Sequence, residues 1–147
     1  MAERILYAIG HVRAEEIITK YLSQYEDKYE FIGSVVHRDA IIPSVREKGA
    51  NIVVIKEGLP GSGDIFKIVI NLRLNFPNVR VVFIAKNRKI GDKMLANLIA
   101  YSVYDLLYGE RITTNQMAQL IDNPNKFRDV NHLLPQVYKN LEIKNEA

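Results

Sequence analysis

Hydrophobic residues recur along this chain in two alternating rhythms. One is the short continuous run: Ile5-Leu6-Tyr7-Ala8-Ile9, Ile52-Val53-Val54-Ile55 and Val81-Val82-Phe83-Ile84. Runs of this length, rich in β-branched residues and closed by turn residues, predict strands buried on both faces, as at the centre of a parallel sheet. The other rhythm is helical. Ile17, Ile18, Tyr21, Leu22 and Tyr25 share one face, with Glu15, Glu16, Lys20 and Gln24 between them. Ile65, Val69, Leu72 and Phe76 repeat the pattern, with Ile68 and Ile70 adding apolar surface, and so do Met94, Leu95, Leu98 and Ile99.

Taken in order, the pattern predicts strands over Arg4–Ile9, Phe31–Val36, Asn51–Lys56, Val79–Ala85 and Val103–Leu107. A helix follows each. Asp39, Asp64, Asp92 and either Thr113 or Thr114 stand where helix caps are expected, and Pro43 fits only a first turn. The second helix carries Ile41, Ile42 and Val45 and stops near Gly49; the fifth buries Met117, Leu120 and Ile121. Five strands alternating with five helices predict an α/β fold, a doubly wound five-stranded parallel sheet in three α/β/α layers. That domain is expected over 1–124. Residues 125–147 carry scattered apolar positions broken by Pro135, and read as a C-terminal tail that packs as a short extra helix or serves as a linker.

The length, 147 residues, suits one domain. A formal net charge of +3 is too small to argue for nucleic acid without a basic stripe. The chain has no cysteine, which excludes disulfides and thiolate metal sites and is compatible with a cytoplasmic setting. No apolar run reaches the roughly 20 residues of a membrane span, and the early charges Glu3 and Arg4 give no signal-peptide pattern. His11, His37 and His132 lie far apart, without metal-ligand spacing.

Ligands of open α/β sheets bind beyond the carboxyl ends of the strands. This draws attention to Lys56 and the turn Gly58-Leu59-Pro60-Gly61-Ser62-Gly63. The turn superficially suggests a phosphate loop, but Asp64 and Ile65 stand where Lys and Ser or Thr are needed, and Asp64 has a capping role instead. Lys56 is an anion anchor beside a helix N-terminus, or a solvated side chain, or the partner of an acid such as Glu57 or Asp92. Lys86, Arg88, Lys89 and Lys93 form a basic loop without interleaved aromatics, which reads as a solvated surface rather than a nucleic-acid platform.

The (βα)5 order over residues 4–123 resembles the receiver domain of response regulators, a flavodoxin/CheY-like fold. The Leu59-Pro60-Gly61 turn, Ala85-Lys86 and Val103-Tyr104-Asp105-Leu106-Leu107 carry the resemblance. It implies an acidic pair for Mg²⁺ after strand one, a phosphoacceptor Asp ending strand three, a hydroxyl ending strand four and a Lys ending strand five. Here those positions hold Ile9 and Gly10, Lys56, Ala85 (or Ile84), and Tyr108 (or Gly109). None of the five is retained. Phosphoryl transfer to a carboxylate requires the carboxylate, and Mg²⁺ requires oxygen ligands. Glu57 is adjacent, but successive strand residues face opposite ways. The expected chain is thus a pseudo-receiver: not an enzyme, and without a cofactor or metal.

Three segments resemble more narrowly the atypical receivers that precede the ParA/MinD-like ATPase of TadZ/CpaE-type proteins. They are Gly58–Ser62, Ala85–Lys93 and Val103–Gly109; Asp129-Val130 and Leu133-Leu134-Pro135 add to them. The resemblance implies a bacterial regulatory or localisation module, acting through protein contacts with such an ATPase in cis or in trans. Receivers commonly pair through helix four, strand five and helix five. Asn97, Tyr101, Tyr104, Asp105, Tyr108 and Arg111 are the interface candidates for a homodimer there, since Tyr joins apolar area to a polar tip. The alternatives are an anion- or nucleotide-responsive switch using Lys56, and a phospho-receiver with a displaced acceptor such as Glu57.

Overall fold

The computed structural model describes residues 2–134. Strands β1 (Glu3–Ala8), β2 (Tyr29–Ser34), β3 (Ile52–Lys56), β4 (Arg80–Ile84) and β5 (Asp105–Leu107) form one parallel sheet in the order β2-β1-β3-β4-β5. The α-helices are α1 (Val12–Leu22), α2 (Ile41–Lys48), α3 (Ile65–Asn75), α4 (Lys93–Ala100), α5 (Thr114–Asp122) and α6 (Phe127–Val130), the last running into a 3₁₀ turn over Asn131–Leu133. This is the doubly wound α/β architecture expected from the alternating rhythms.

The continuous apolar runs are continuous because both faces are covered. Leu6, Ala8, Val53, Ile55, Val81 and Phe83 belong to the core layer under α2, α3 and α4. Their neighbours Ile5, Tyr7, Ile52, Val54, Val82 and Ile84 belong to the layer under α1 and α5. Adjacent residues thus alternate between layers, the period of an extended chain. Tyr7 and Phe31 stack at 6.0 Å. Burial pushes the Tyr7 phenol up to about 12, although Thr19 hydrogen-bonds it at 2.8 Å.

The capping expectations divide. Asp64 accepts from the Phe66 and Lys67 amides, Asp92 from Met94 and Leu95, and Thr113 closes a capping box with Gln116. Asp39 does not cap α2. It lies in a 3₁₀ turn over Arg38–Ala40 and its carboxylate faces the loop after β3. The cap of α1 is His11, whose Nδ1 accepts from the Ala14 amide at 3.1 Å. Two apolar positions also differ: Ile17 is 36% exposed, and Tyr25 lies past the end of α1.

β5 is three residues long, starting at Asp105 rather than Val103. The chain that follows α5 returns beside it. Asn125 donates its amide to Asp105 Oδ1 at 2.7 Å and its Nδ2 to the Tyr104 carbonyl at 3.0 Å. Val130 and Leu133 are buried among the residues of the α2–α4 layer, and the Gly91 amide donates to the Leu133 carbonyl. Residues 135–147 of the expected tail lie outside the described residues.

Candidate functional site

The carboxyl edge of the sheet is organised by two arginines. Arg38 spans the loop after β3, donating from Nε to the Leu59 carbonyl at 2.7 Å and from Nη1 to the Gly63 carbonyl at 2.9 Å. Asp39 takes the amides of Ser62 and Gly63, each at 3.1 Å. Those amide bonds, that from Ser62 foremost, hold the Asp39 carboxyl below its ordinary range. The glycine-rich loop is therefore occupied. An internal carboxylate fills the amides that a phosphate would have to claim, which adds a geometric reason to the missing Lys and Ser or Thr of a nucleotide loop. Gly61 is needed for this approach: its φ is +147°, and a Cβ there would collide with Arg38 Cγ.

Arg88 is the second organiser. Its Nε and Nη2 meet Glu57 Oε1 and Oε2 at 2.9 and 2.6 Å, and its Nη1 lies 3.1 Å from Asp92 Oδ2. The guanidinium carbon also sits 5.0 Å over the Phe66 ring. Glu57 is only 7% exposed and takes a further bond from the Lys86 amide at 2.8 Å. Burial pushes the Glu57 carboxyl up, but Arg88 and the Lys86 amide outweigh it and leave it below its ordinary range. Asp92 behaves likewise: burial raises it, while the Leu95 amide and Arg88 bring it below the usual value.

Lys56 ends β3 on the opposite face from Glu57, exposed, and pairs with neither Glu57 nor Asp92: Arg88 holds both acids. That sequence expectation is corrected by a residue assigned there to a solvated basic loop. The signal in the sequence was weak, an Arg four residues before a capping Asp. Lys56 instead borders a cleft of about 300 Å³ with Lys86, Asn87 and Glu110. Ala85, in the expected hydroxyl position, lies on its wall, and so does Gly109, next to Tyr108. Ile9 is buried in the α1/α5 layer and Gly10 has φ +65°. The degenerate pocket positions are thus placed as apolar wall, turn and cation. Among the described residues no group of three His, Cys, Asp or Glu is placed to hold a metal ion.

The expected interface residues do not form one patch. Asp105 is 5% exposed, with Arg80 Nε at 2.6 Å from its Oδ2, so it is an internal ion pair and not a rim charge. Arg80 also donates to the Leu120 and Ile121 carbonyls, tying β4 to the end of α5. Tyr104 and Tyr108 flank β5 rather than alternate within it, and both are half-buried. Tyr104 packs edge-on against Phe127, and the Tyr108 hydroxyl lies 3.1 Å from His132 Nε2. Part of the expected face is covered by the chain's own α6 segment. Asn97, Tyr101 and Arg111 are exposed, and Phe127, unforeseen in the sequence, is 39% exposed beside Tyr104.

No protein-family description and no curated protein matches the chain. Solved structures do. The isolated REC domain of RcsB from Salmonella enterica serovar Typhimurium superposes with a TM-score of 0.70 at 17% identity, over 91% of this chain and 99% of that one. The receiver domain of a modulated diguanylate cyclase from Desulfovibrio desulfuricans G20 gives 0.63 at 12% identity, over 83% and 92%. This chain has the receiver fold. A longer RcsB chain from Salmonella typhimurium aligns with a TM-score of 0.62 at 15% identity over 82% of this chain, which spans 56% of its length. Receiver-fold neighbours belong to signalling proteins, and no helix among the described residues is long and apolar enough to cross a membrane.

Proposed function

We propose that this chain is a pseudo-receiver: a regulatory module that works by binding other proteins and takes no phosphoryl group. The observation that carries the reading is the state of the two residues at the end of β3. Lys56 occupies the acceptor position with an ammonium, and both oxygens of the neighbouring Glu57 are engaged by Arg88. An acceptor needs a carboxylate oxygen free to attack phosphorus, and a metal opposite it. Incubation with acetyl phosphate and Mg²⁺ is expected to leave the intact mass unchanged. Stable gain of one phosphoryl group overturns the reading and moves the acceptor to Glu57.

The contact residues are Asn97 and Tyr101, exposed on α4 and at its end, with exposed Phe127 and Arg111 as further candidates on the segments that follow. Apolar area beside polar tips favours a self-complementary, two-fold contact. Sedimentation equilibrium is expected to show a dimer that Tyr101→Glu together with Phe127→Glu dissociates. A monomer across concentrations places the contact elsewhere. The association with a ParA/MinD-like ATPase rests on the resemblance of residues 58–62, 85–93 and 103–109. A phosphate-loop motif encoded shortly downstream of residue 147 in the native reading frame supports it, and a frame without one removes that support.

A further inference from the structure

We propose that Lys56 and Lys86 hold a small tetrahedral dianion, inorganic phosphate or a phosphomonoester head, in the cleft at the carboxyl ends of β3 and β4. The two ammonium groups come from different strand ends and border the same cleft, with Asn87 as an amide donor beside them. Lys86 does not simply extend into solvent. Its stem lies back over the exit of β3, so that a Cβ on Gly58 would sit 3.5 Å from Lys86 Cε.

Two neighbouring carboxylates, Glu57 and Asp92, are committed elsewhere. Glu57 is held by Arg88 and the Lys86 amide, and Asp92 by Arg88 and the first amides of α4. Among the described residues neither lysine forms an ion pair. Among the described residues Glu110 is the one carboxylate on the cleft wall, so two cations face one anion there. Like charges held close destabilise each other, and a dianion relieves that while gaining charge-assisted hydrogen bonds. Ile84, Ala85, Ile112 and Met117 supply the apolar part of the lining.

Size selects among anions. About 300 Å³ is the lower limit of ordinary ligand pockets. A tetrahedral ion fits, whereas a whole nucleotide would project well beyond the walls. The loop after β3 offers no second anchor, because Asp39 already occupies its Ser62 and Gly63 amides.

The test is a titration of the described chain, in full length and in a phosphate-free buffer, with inorganic phosphate at constant ionic strength. Amide spectra report it. Saturable shifts are expected at Lys56, Lys86, Asn87 and Gly109. Lys56→Gln and Lys86→Gln are each expected to weaken binding about tenfold, and Glu110→Gln to tighten it. Both lysines are exposed, so the variants fold, and the same spectra verify it. A parallel titration with methyl phosphate separates the sources: saturation by both assigns the site to a phosphomonoester head, saturation by phosphate alone to the free ion. Linear shifts that chloride reproduces, or saturation untouched in both lysine variants, overturn the proposal. Either result leaves the pseudo-receiver reading standing, since that depends on Glu57.

Discussion

Arg88 grips Glu57 side-on, with Nε and Nη2 at 2.9 and 2.6 Å from the two carboxylate oxygens. The parallel fork geometry is the strongest form of Arg–carboxylate contact. It joins the end of β3 to the loop before α4, and through Asp92 it reaches the helix itself. The loop is thereby fixed by the chain's own charges.

Removing one member is expected to cost more than removing both. Arg88→Met leaves a nearly buried carboxylate without its cation, and should lower stability by on the order of 3 kcal/mol. Glu57→Leu combined with Arg88→Met should recover part of that loss. Urea denaturation of the two singles and the double measures the coupling, and additive losses would show that the pair acts independently.

Acid should unfold the protein through the same groups. Glu57, Asp92, Asp39 and Asp122 all have carboxyls below their ordinary range in the folded chain. For Asp122, burial opposes the shift and the bonds from Lys28 and Tyr29 produce it. A depressed folded value means that the stabilisation is fully present above the unfolded carboxylate range, near pH 4. It is lost as pH falls from there through the folded values. Melting temperatures between pH 7 and pH 3 are expected to stay level and then fall, and Glu57→Gln should start lower and fall less steeply.

The loop after β3 predicts a backbone effect. Gly61→Ala places a Cβ against Arg38 at a φ of +147° and should destabilise by more than about 1 kcal/mol. Asp39→Ala keeps the backbone but frees two amides. Hydrogen exchange at Ser62 and Gly63 should accelerate in Asp39→Ala, with the sheet amides unchanged. Unaltered exchange there would assign the order of the loop to Arg38 alone.

The return of the chain beside β5 predicts a core effect from outside the five repeats. Leu133 is fully buried, and Leu133→Ala should cost about 2–5 kcal/mol. Denaturant unfolding checks it. A loss below 1 kcal/mol, of the size typical of surface sites, would mean that the segment contributes little.

The sequence made the sheet legible because its central strands are buried on both faces, which leaves an unbroken apolar run. The caps at Asp64 and Asp92 were legible for a local reason, since each bonds amides two and three residues ahead. Asp39, Arg80 and Arg88 were not. Asp39 reaches 23 and 24 residues along the chain, Arg80 reaches 25 to Asp105, and Arg88 reaches 31 to Glu57. No local pattern encodes such distances. Asp105 misled for the same reason: a charge in a short strand reads as surface until its cation is found in the neighbouring strand. Tyr104 and Tyr108 read as open area because Phe127 and His132 lie in a segment with no clear rhythm of its own.

An open parallel sheet ends in two rows of unpaired backbone groups, each a template for another chain. At one margin β5 is cut to three residues, and Asn125 takes the Tyr104 carbonyl just before it. At the other, β2 is six residues long and carries a register shift opposite Ile5 and Leu6 that bends its outer row. The two ends of the sheet are therefore protected by different means. The β2 margin is blunted by its bulge and the β5 margin by its shortness and the Asn125–Leu134 return, so loss of that return would open the β5 margin.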